Sequence, residues 1–244
     1  INLTLDGEPF LNQAMMTFIE MISKAGYVAV FASNGTILDR STIDRLSQSG
    51  IFHISIDFAA DEQTFETIRG QKGHYAVVLE NLRYLAQKTK TRPNVHLRIN
   101  DIAPFAGREP KASLSRLRAL FDGDLRSCVR FTSRQFHNFC GHLPCEKSQA
   151  RYRLCPYPWT QLAVTYDGDC VACCRDTAAR TVLGNVFEKS IMEIWNGAPY
   201  RQLRQNLLER KPELNQACRN CDLPYSGGEK RWHIGYILNS LLRR

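Results

Sequence analysis

The chain has 244 residues and carries 32 Lys plus Arg against 24 Asp plus Glu, a formal charge of +8. At 43% hydrophobic and 23% charged, with 15 Gly and 10 Pro, it has the composition of a globular protein, which excludes disordered, collagenous and coiled-coil readings. No apolar run approaches the ~18 residues of a membrane span, and the opening INLTLDGEPF lacks the basic start and apolar core of a signal peptide, so the chain is read as cytoplasmic.

The first 135 residues repeat one grammar, a short apolar or β-branched run, a polar turn and then a helical pattern, and this is α/β logic. Strands are expected at 1–5, 27–33, 51–57, 94–100 and 128–133. Between them Leu11, Ala14, Met15, Phe18, Ile19 and Ile22 recur at helical spacing, as do Tyr75, Val78, Leu79, Leu82, Leu85 and Ala86. Strands joined through helices run parallel, in an open sheet or a curved partial barrel, and function gathers at their carboxyl ends. Those ends carry Asp6-Gly7-Glu8-Pro9, Ser33-Asn34-Gly35-Thr36, Ser55-Ile56-Asp57 and Asn100. Each alone reads as a turn or a cap; four on one rim point to a binding surface.

Residues 136–154 lack periodicity and are read as a connector. The second region, 155–244, opens at Cys155, turns a hairpin at Asp167-Gly168, and continues with a short helix through Ile191, Ile194 and Trp195. A longer helix after Pro199 follows, with Leu203, Leu207 and Leu208 on its face. In the terminal RWHIGYILNSLLRR, apolar residues beside arginines are compatible with a membrane surface, although a helix packed on the rest of the protein is the preferred reading.

All nine cysteines, at 128, 140, 145, 155, 170, 173, 174, 218 and 221, lie in the second half. An odd, clustered set without a signal peptide points to metal chemistry in a reducing compartment rather than to a disulfide framework. Four thiolates satisfy either tetrahedral zinc or a [4Fe-4S] cluster, and spacing alone does not choose. In the connector, His137, Cys140, His142 and Cys145 have ligand types and spacing that suit a second, zinc site.

The run Cys155-Pro-Tyr-Pro-Trp159, Tyr166-Asp167-Gly168 with Gly-x4-Cys173-Cys174-Arg-Asp176, Leu183-Gly184-Asn185-Val186, Ile194-Trp195-Asn196 and Cys218-x-x-Cys221 resembles the auxiliary iron–sulfur domain of radical S-adenosylmethionine (radical SAM) enzymes, the SPASM or shorter twitch domain. Independently, Gly7-Glu8-Pro9, Ser33-Asn34-Gly35-Thr36, Ser55-Ile56-Asp57 and Ile68-Arg69-Gly70 resemble successive segments of the radical SAM barrel. The resemblance implies an incomplete parallel (β/α) partial TIM barrel followed by a small α+β SPASM/twitch-like domain. It makes Cys155, Cys173, Cys218 and Cys221, separated by 18, 45 and 3 positions, the ligands of one auxiliary [4Fe-4S] cluster, with Cys174 an alternative to Cys173. A single cluster is implied because no cysteine follows Cys221.

By the same resemblance Glu8 and the Gly7 backbone belong to the site for the amino group of S-adenosylmethionine, Ser55, Asp57, Arg69 and Asn100 are candidates for its carboxylate and ribose, and Pro9 and Asn34 are counted among the cofactor-binding residues. Two departures stand out. Asp6 replaces the first glycine of the usual Gly-Gly-Glu-Pro, and the C-x3-C-x2-C that would hold the catalytic cluster is absent. The chain opens with Ile at what would be the second barrel strand, which is read as an N-terminal truncation, with the second, catalytic [4Fe-4S] cluster expected only in the full-length protein. The parent enzyme would abstract a hydrogen atom and oxidise, crosslink or epimerise a peptide or small-molecule substrate, using an external one-electron reductant such as flavodoxin or ferredoxin. The competing reading is a noncatalytic zinc-binding interaction module; scattered basic residues argue against nucleic acid.

Overall fold

A computed structural model describes residues 1–134, 137–143 and 151–225. Two units divide the chain, Ile1–Phe136 and His137–Arg244. In the first, four strands lie side by side in chain order, all parallel: β1 (Ala29–Ser33), β2 (Phe52–Phe58), β3 (Val95–Asp101) and β4 (Arg130–Ser133). Alternation decides what each strand hides. Phe52, Ile54, Ile56 and Phe58 of β2 are buried under the helices, while His53, Ser55 and Asp57 look to the other face.

Parallel neighbours need crossovers, and the helices provide them. α1 (Met15–Lys24) precedes β1, α2 (Arg40–Leu46) leads to β2, α3 (Glu62–Arg69) and α4 (Tyr75–Thr91) lead to β3, and α5 (Pro110–Ala119) and α6 (Gly123–Cys128) lead to β4. Several open on a carboxylate cap: Asp39 accepts the Thr42 N–H at 2.7 Å, Asp61 that of Thr64 at 2.8 Å, and Glu109 that of Ala112 at 2.7 Å. The expected face of α4 is the buried one, through Val78, Leu82, Leu85 and Ala86. For α1 the buried stripe is narrower than expected, Met15, Ile19 and Ile22. Leu11 sits before the helix in a 3-10 turn, 73% exposed.

Residues 1–5, expected as a strand, make a single parallel bridge between Asn2 and Val30. The Ile1 carbonyl accepts the Val30 N–H at 2.8 Å, but the next N–H along β1, that of Ala32, goes to the Thr4 hydroxyl at 3.0 Å instead of a backbone carbonyl. A side chain has captured the donor that would extend the ladder. At the other edge, Cys128 closes α6, and the strand expected from it starts at Arg130.

The second unit is built on a small antiparallel sheet, β5 (Ala163–Val164), β6 (Asp169–Val171) and β7 (Val182–Asn185), after the one-turn α7 (Tyr157–Thr160). The β5–β6 hairpin turns where expected, closed by the Gly168 N–H donating to the Thr165 carbonyl at 3.1 Å. α8 (Ile191–Trp195) opens on a capping box in which Ser190 and Glu193 satisfy each other's N–H. α9 (Ala198–Leu208) buries Tyr200, Leu203 and Leu207 against Leu183, Ile194 and Ala217, leaving Leu208 exposed. Arg204 stacks on the rings of Trp195 and Tyr200 at 4.3 and 4.8 Å. Residues 137–143, expected within the connector, pack inside this unit. The C-terminal RWHIGYILNSLLRR lies outside the described residues; among those described, no helix is long and apolar enough to cross a membrane.

Candidate functional site

At the carboxyl ends of the first unit's strands the Glu8 carboxylate is the organising group. Gly7 before it has φ +79°, a conformation glycine adopts freely, whereas Asp6 keeps a negative φ and accepts the Gly7 N–H on its own side chain at 3.0 Å. Asp6 thus needs no glycine-like backbone at this turn. Pro9 opens a 3-10 turn capped by Glu8. Glu8 accepts the Ser33 hydroxyl at 3.0 Å on Oε1 and the Asn34 N–H at 2.6 Å on Oε2, so it ties the segment before α1 to the end of β1.

A second group of polar side chains spans β2, β3 and β4. Register places Asp57, Asn100 and Thr132 side by side. Asn100 Nδ2 donates to Asp57 Oδ1 at 2.8 Å, Thr132 Oγ1 donates to Asn100 Oδ1 at 2.6 Å, and Arg134 Nη1 lies 3.7 Å from Asp57 Oδ1. Arg69, at the end of α3, donates to the Asp57 carbonyl at 2.6 Å, while its Nε is buried with no partner among the described residues. Burial lowers the guanidinium pKa of Arg69; the charges of Asp57 and Glu8 oppose that, and Arg134 adds to it. Those interactions join the two groups at one rim. Ser55 lies one level lower on the sheet, at the Arg98 position, outside the hydrogen-bond chain. Thr132 and Arg134 are not singled out by the sequence; register with Asn100 identifies Thr132.

In the second unit, thiols from distant segments converge. The Cys140 thiol lies within hydrogen-bond reach of the sulfurs of Cys173 and Cys221 and has one proton to share between them, which raises its own pKa and lowers theirs below the ordinary thiol value. Cys155 and Cys218 stand within electrostatic range of Cys173 and Cys221. Burial pushes the Cys155 thiol up to about 12, opposed by the Tyr157 N–H, and burial also raises Cys218. Cys173 follows β6 directly, and Arg175 N–H donates to its sulfur at 3.4 Å. Asp176, fully buried, accepts the N–H groups of Arg180 and Thr181 at 2.9 and 3.0 Å and closes the loop that carries Cys173. Cys174 faces away, its sulfur accepting from Gln161 Nε2 at 3.3 Å.

Residues 155–222 match the SPASM family, an iron–sulfur cluster-binding domain. The second unit carries a SPASM domain. A curated relative, Fe-coproporphyrin III synthase of Methanosarcina barkeri (strain Fusaro / DSM 804), is 26% identical over 76 residues, 31% of this chain and 19% of that protein. Among solved structures, BtrN in complex with AdoMet and 2-DOIA is 19% identical, with a TM-score of 0.56 over 91% of this chain and 72% of that one. Streptococcus suis SuiB bound to precursor peptide SuiA is 14% identical, with a TM-score of 0.52 over 81% of this chain and 54% of that one. The fold is thus that of radical SAM proteins with a SPASM domain. The chain spans about a fifth of the curated relative's length and about half of SuiB.

The donor set of the SPASM domain fits an iron–sulfur cluster. Its ligand-competent groups are soft thiols, and three of them, Cys155, Cys173 and Cys221, accept a backbone N–H from two residues further on, which favours the thiolate form. Among the described residues, no three His, Cys, Asp or Glu close on one ion-sized point, whereas a cluster presents a separate iron to each thiolate. Of the connector's candidate zinc ligands, His142 Nδ1 lies 3.1 Å from Arg180 Nη2, Cys140 turns to Cys173 and Cys221, and Cys145 lies outside the described residues.

Proposed function

We propose that the chain is part of a cytoplasmic radical SAM enzyme whose SPASM domain holds one auxiliary [4Fe-4S] cluster on Cys155, Cys173, Cys218 and Cys221. The observation that carries this reading is the convergence of thiols from segments far apart in the chain inside a matched SPASM domain. The cluster, when bound, supplies a one-electron carrier. In the first unit, Glu8 is suited to an ammonium, since its carboxylate already lies on the rim and is held by Ser33 and Asn34. The unpartnered Arg69 Nε suits a carboxylate, and the Asp57–Asn100 pair suits ribose hydroxyls. Together these groups would hold S-adenosylmethionine by its methionine end and its sugar.

A peptide or small-molecule substrate is in keeping with the precursor peptide on SuiB and with 2-DOIA on BtrN, and a flavodoxin or ferredoxin is the class of reductant such a site requires. Eight free cysteines among the described residues accord with a compartment that keeps thiols reduced. The test is anaerobic reconstitution with iron and sulfide, followed by iron quantitation and EPR of the reduced protein. About four irons per chain and a reduced-cluster signal are expected; one zinc per chain with no stable iron overturns the reading in favour of a zinc module.

A further inference from the structure

One thiol beyond the four proposed ligands, that of Cys140, lies in the same buried cluster as Cys173 and Cys221, with Cys218 packed against it. Cys140 is 1% exposed and shares a buried cluster with Cys173 and Cys221, touching both sulfurs. The loop that delivers it is held in a shape chains seldom adopt: Phe139 and Cys140 are left-handed at φ +46° and +58°, and Gly141 follows at +87°. Asn138 fastens that loop to the C-x-x-C segment on both sides, its Nδ2 donating to the Asn220 carbonyl at 2.7 Å and its Oδ1 accepting the Asp222 N–H at 3.2 Å, while its own N–H donates to Asp222 Oδ2 at 3.2 Å. Arg180 Nη1 donates to the Cys140 carbonyl at 3.2 Å. Gly141 approaches Asn220 so closely that an added Cβ would stand 2.5 Å from the Asn220 Cβ. These contacts have one common effect, to seat the Cys140 sulfur beside Cys221.

A [4Fe-4S] cluster takes four thiolates. Cys155, Cys173 and Cys221 each accept a backbone N–H at sulfur. Cys218 lies in the 218–222 segment and the Cys140 loop is fastened to that same segment through Asn138, so both thiols are candidates for the fourth position. We propose that Cys140 is a ligand-competent fifth thiol of the cage, able to hold a cluster iron in place of Cys218. The inference rests on the cluster reading above.

The experiment compares iron per chain and reduced-state EPR after anaerobic reconstitution of the wild type, Cys218→Ala, Cys140→Ala and Cys140→Ala/Cys218→Ala, with Cys174→Ser/Cys218→Ala as a control that also removes two thiols. Cys218→Ala is expected to keep about four irons, with altered EPR g-values, because Cys140 takes the vacant position. The Cys140/Cys218 double variant is expected to lose at least half of that iron, and the Cys174/Cys218 variant none of it. Serine versions of the double variant, with far-UV circular dichroism, separate lost ligation from lost folding. Equal iron in Cys218→Ala and in the Cys140/Cys218 double variant, whether both high or both low, overturns the proposal. A wild type that takes up no cluster overturns the cluster reading itself, and this inference with it.

Discussion

Asp176→Ala probes the cage without touching a thiol. The carboxylate is fully buried and its two oxygens divide their work, Oδ1 accepting the Arg180 N–H at 2.9 Å and Oδ2 the Thr181 N–H at 3.0 Å. Thr181 in turn accepts the Ala217 N–H on its hydroxyl at 3.0 Å and the Ala172 N–H on its carbonyl at 3.1 Å. The loop carrying Cys173 is therefore tied to the residue before Cys218 through one side chain. Hydrogen bonds to a charged group contribute about 1.5–3 kcal/mol each. Removing both, with some relaxation toward water, should cost the second unit about 2–4 kcal/mol. With a urea m-value of about 1.5–2 kcal/mol/M, that lowers its midpoint by about 1–2.7 M. Tryptophan fluorescence reads this unit alone, because Trp159, Trp195 and Trp232 all follow residue 136. Asp176→Asn should recover less than half of the loss, since an amide offers one acceptor and turns a donor toward the other N–H. Midpoints within about 0.3 M of wild type for both variants would refute the account and show that the two N–H groups find other acceptors.

Gly141→Ala should destabilise the second unit by about 1–3 kcal/mol, because it forces a side chain onto φ +87° and against Asn220; urea titration of its tryptophan fluorescence measures this, and a change below about 0.5 kcal/mol counts against the described loop. Glu8→Ala leaves the Asn34 N–H and the Ser33 hydroxyl without their acceptor, a loss of about 2–3 kcal/mol in the first unit, to be read in the far-UV denaturation curve, where an unchanged midpoint argues against the clamp. On the exposed face of the sheet His53 lies 4.5 Å from His96, and burial first, then the charges of His96 and Arg98, lower the His53 pKa from 6.5. Below that value the unfolded chain takes up more protons than the folded one, so this contribution is complete above about pH 6.5 and fades as pH falls. Exposure limits it to less than about 1 kcal/mol. His53→Gln should flatten the dependence of the melting temperature between pH 8 and 5.5, and an identical slope in the variant would contradict the assignment.

Side-chain patterns and backbone pairing carry different information, and the mismatches fall where they diverge. The alternation in residues 51–57 specified a strand because one face is apolar throughout, and β2 forms there. Residues 1–5 alternate almost as well, yet pairing stops after Asn2 because the Thr4 hydroxyl takes the Ala32 N–H, a competition that hydropathy does not register. β7 went unread for the opposite reason. Val182–Asn185 is only four residues long, with Gly184 and Asn185 breaking any alternation, and becomes a strand through pairing with β6. At the rim, Glu8, Asp57 and Asn100 were visible as polar residues at strand ends; Thr132 and Arg134 needed the register of β4 against β3, which is a tertiary quantity. Cys155, Cys173, Cys218 and Cys221 are grouped by the resemblance to SPASM and twitch domains. Cys140 was assigned to a different quartet, because nothing local announces that Phe139 and Cys140 turn left-handed and carry the thiol back toward Cys221.

The cage has a consequence for how the SPASM domain folds. Its thiols come from the 138–142 loop, the entry to α7, the end of β6 and the turn at 218–221, so none is brought near another by local structure except the C-x-x-C pair. Closing such loops costs entropy that grows slowly with length, and the apolar core available to offset it is small, centred on Tyr200, Leu203 and Leu207. Polar groups make up part of the difference: Asp176 ties the Cys173 loop, Asn138 ties the Cys140 loop, and Arg175 pairs with Asp222 at 3.3 Å beside Cys221. The Asn138 and Arg175 contacts join two thiol-bearing segments, and the Asp176 contacts close one. Buried polar groups thus tie the thiol-bearing segments together by contacts that need no metal, the arrangement expected where metal binding would complete a fold drawn together by the protein. Loss of a single tie should therefore show first in cluster uptake and only afterwards in global unfolding.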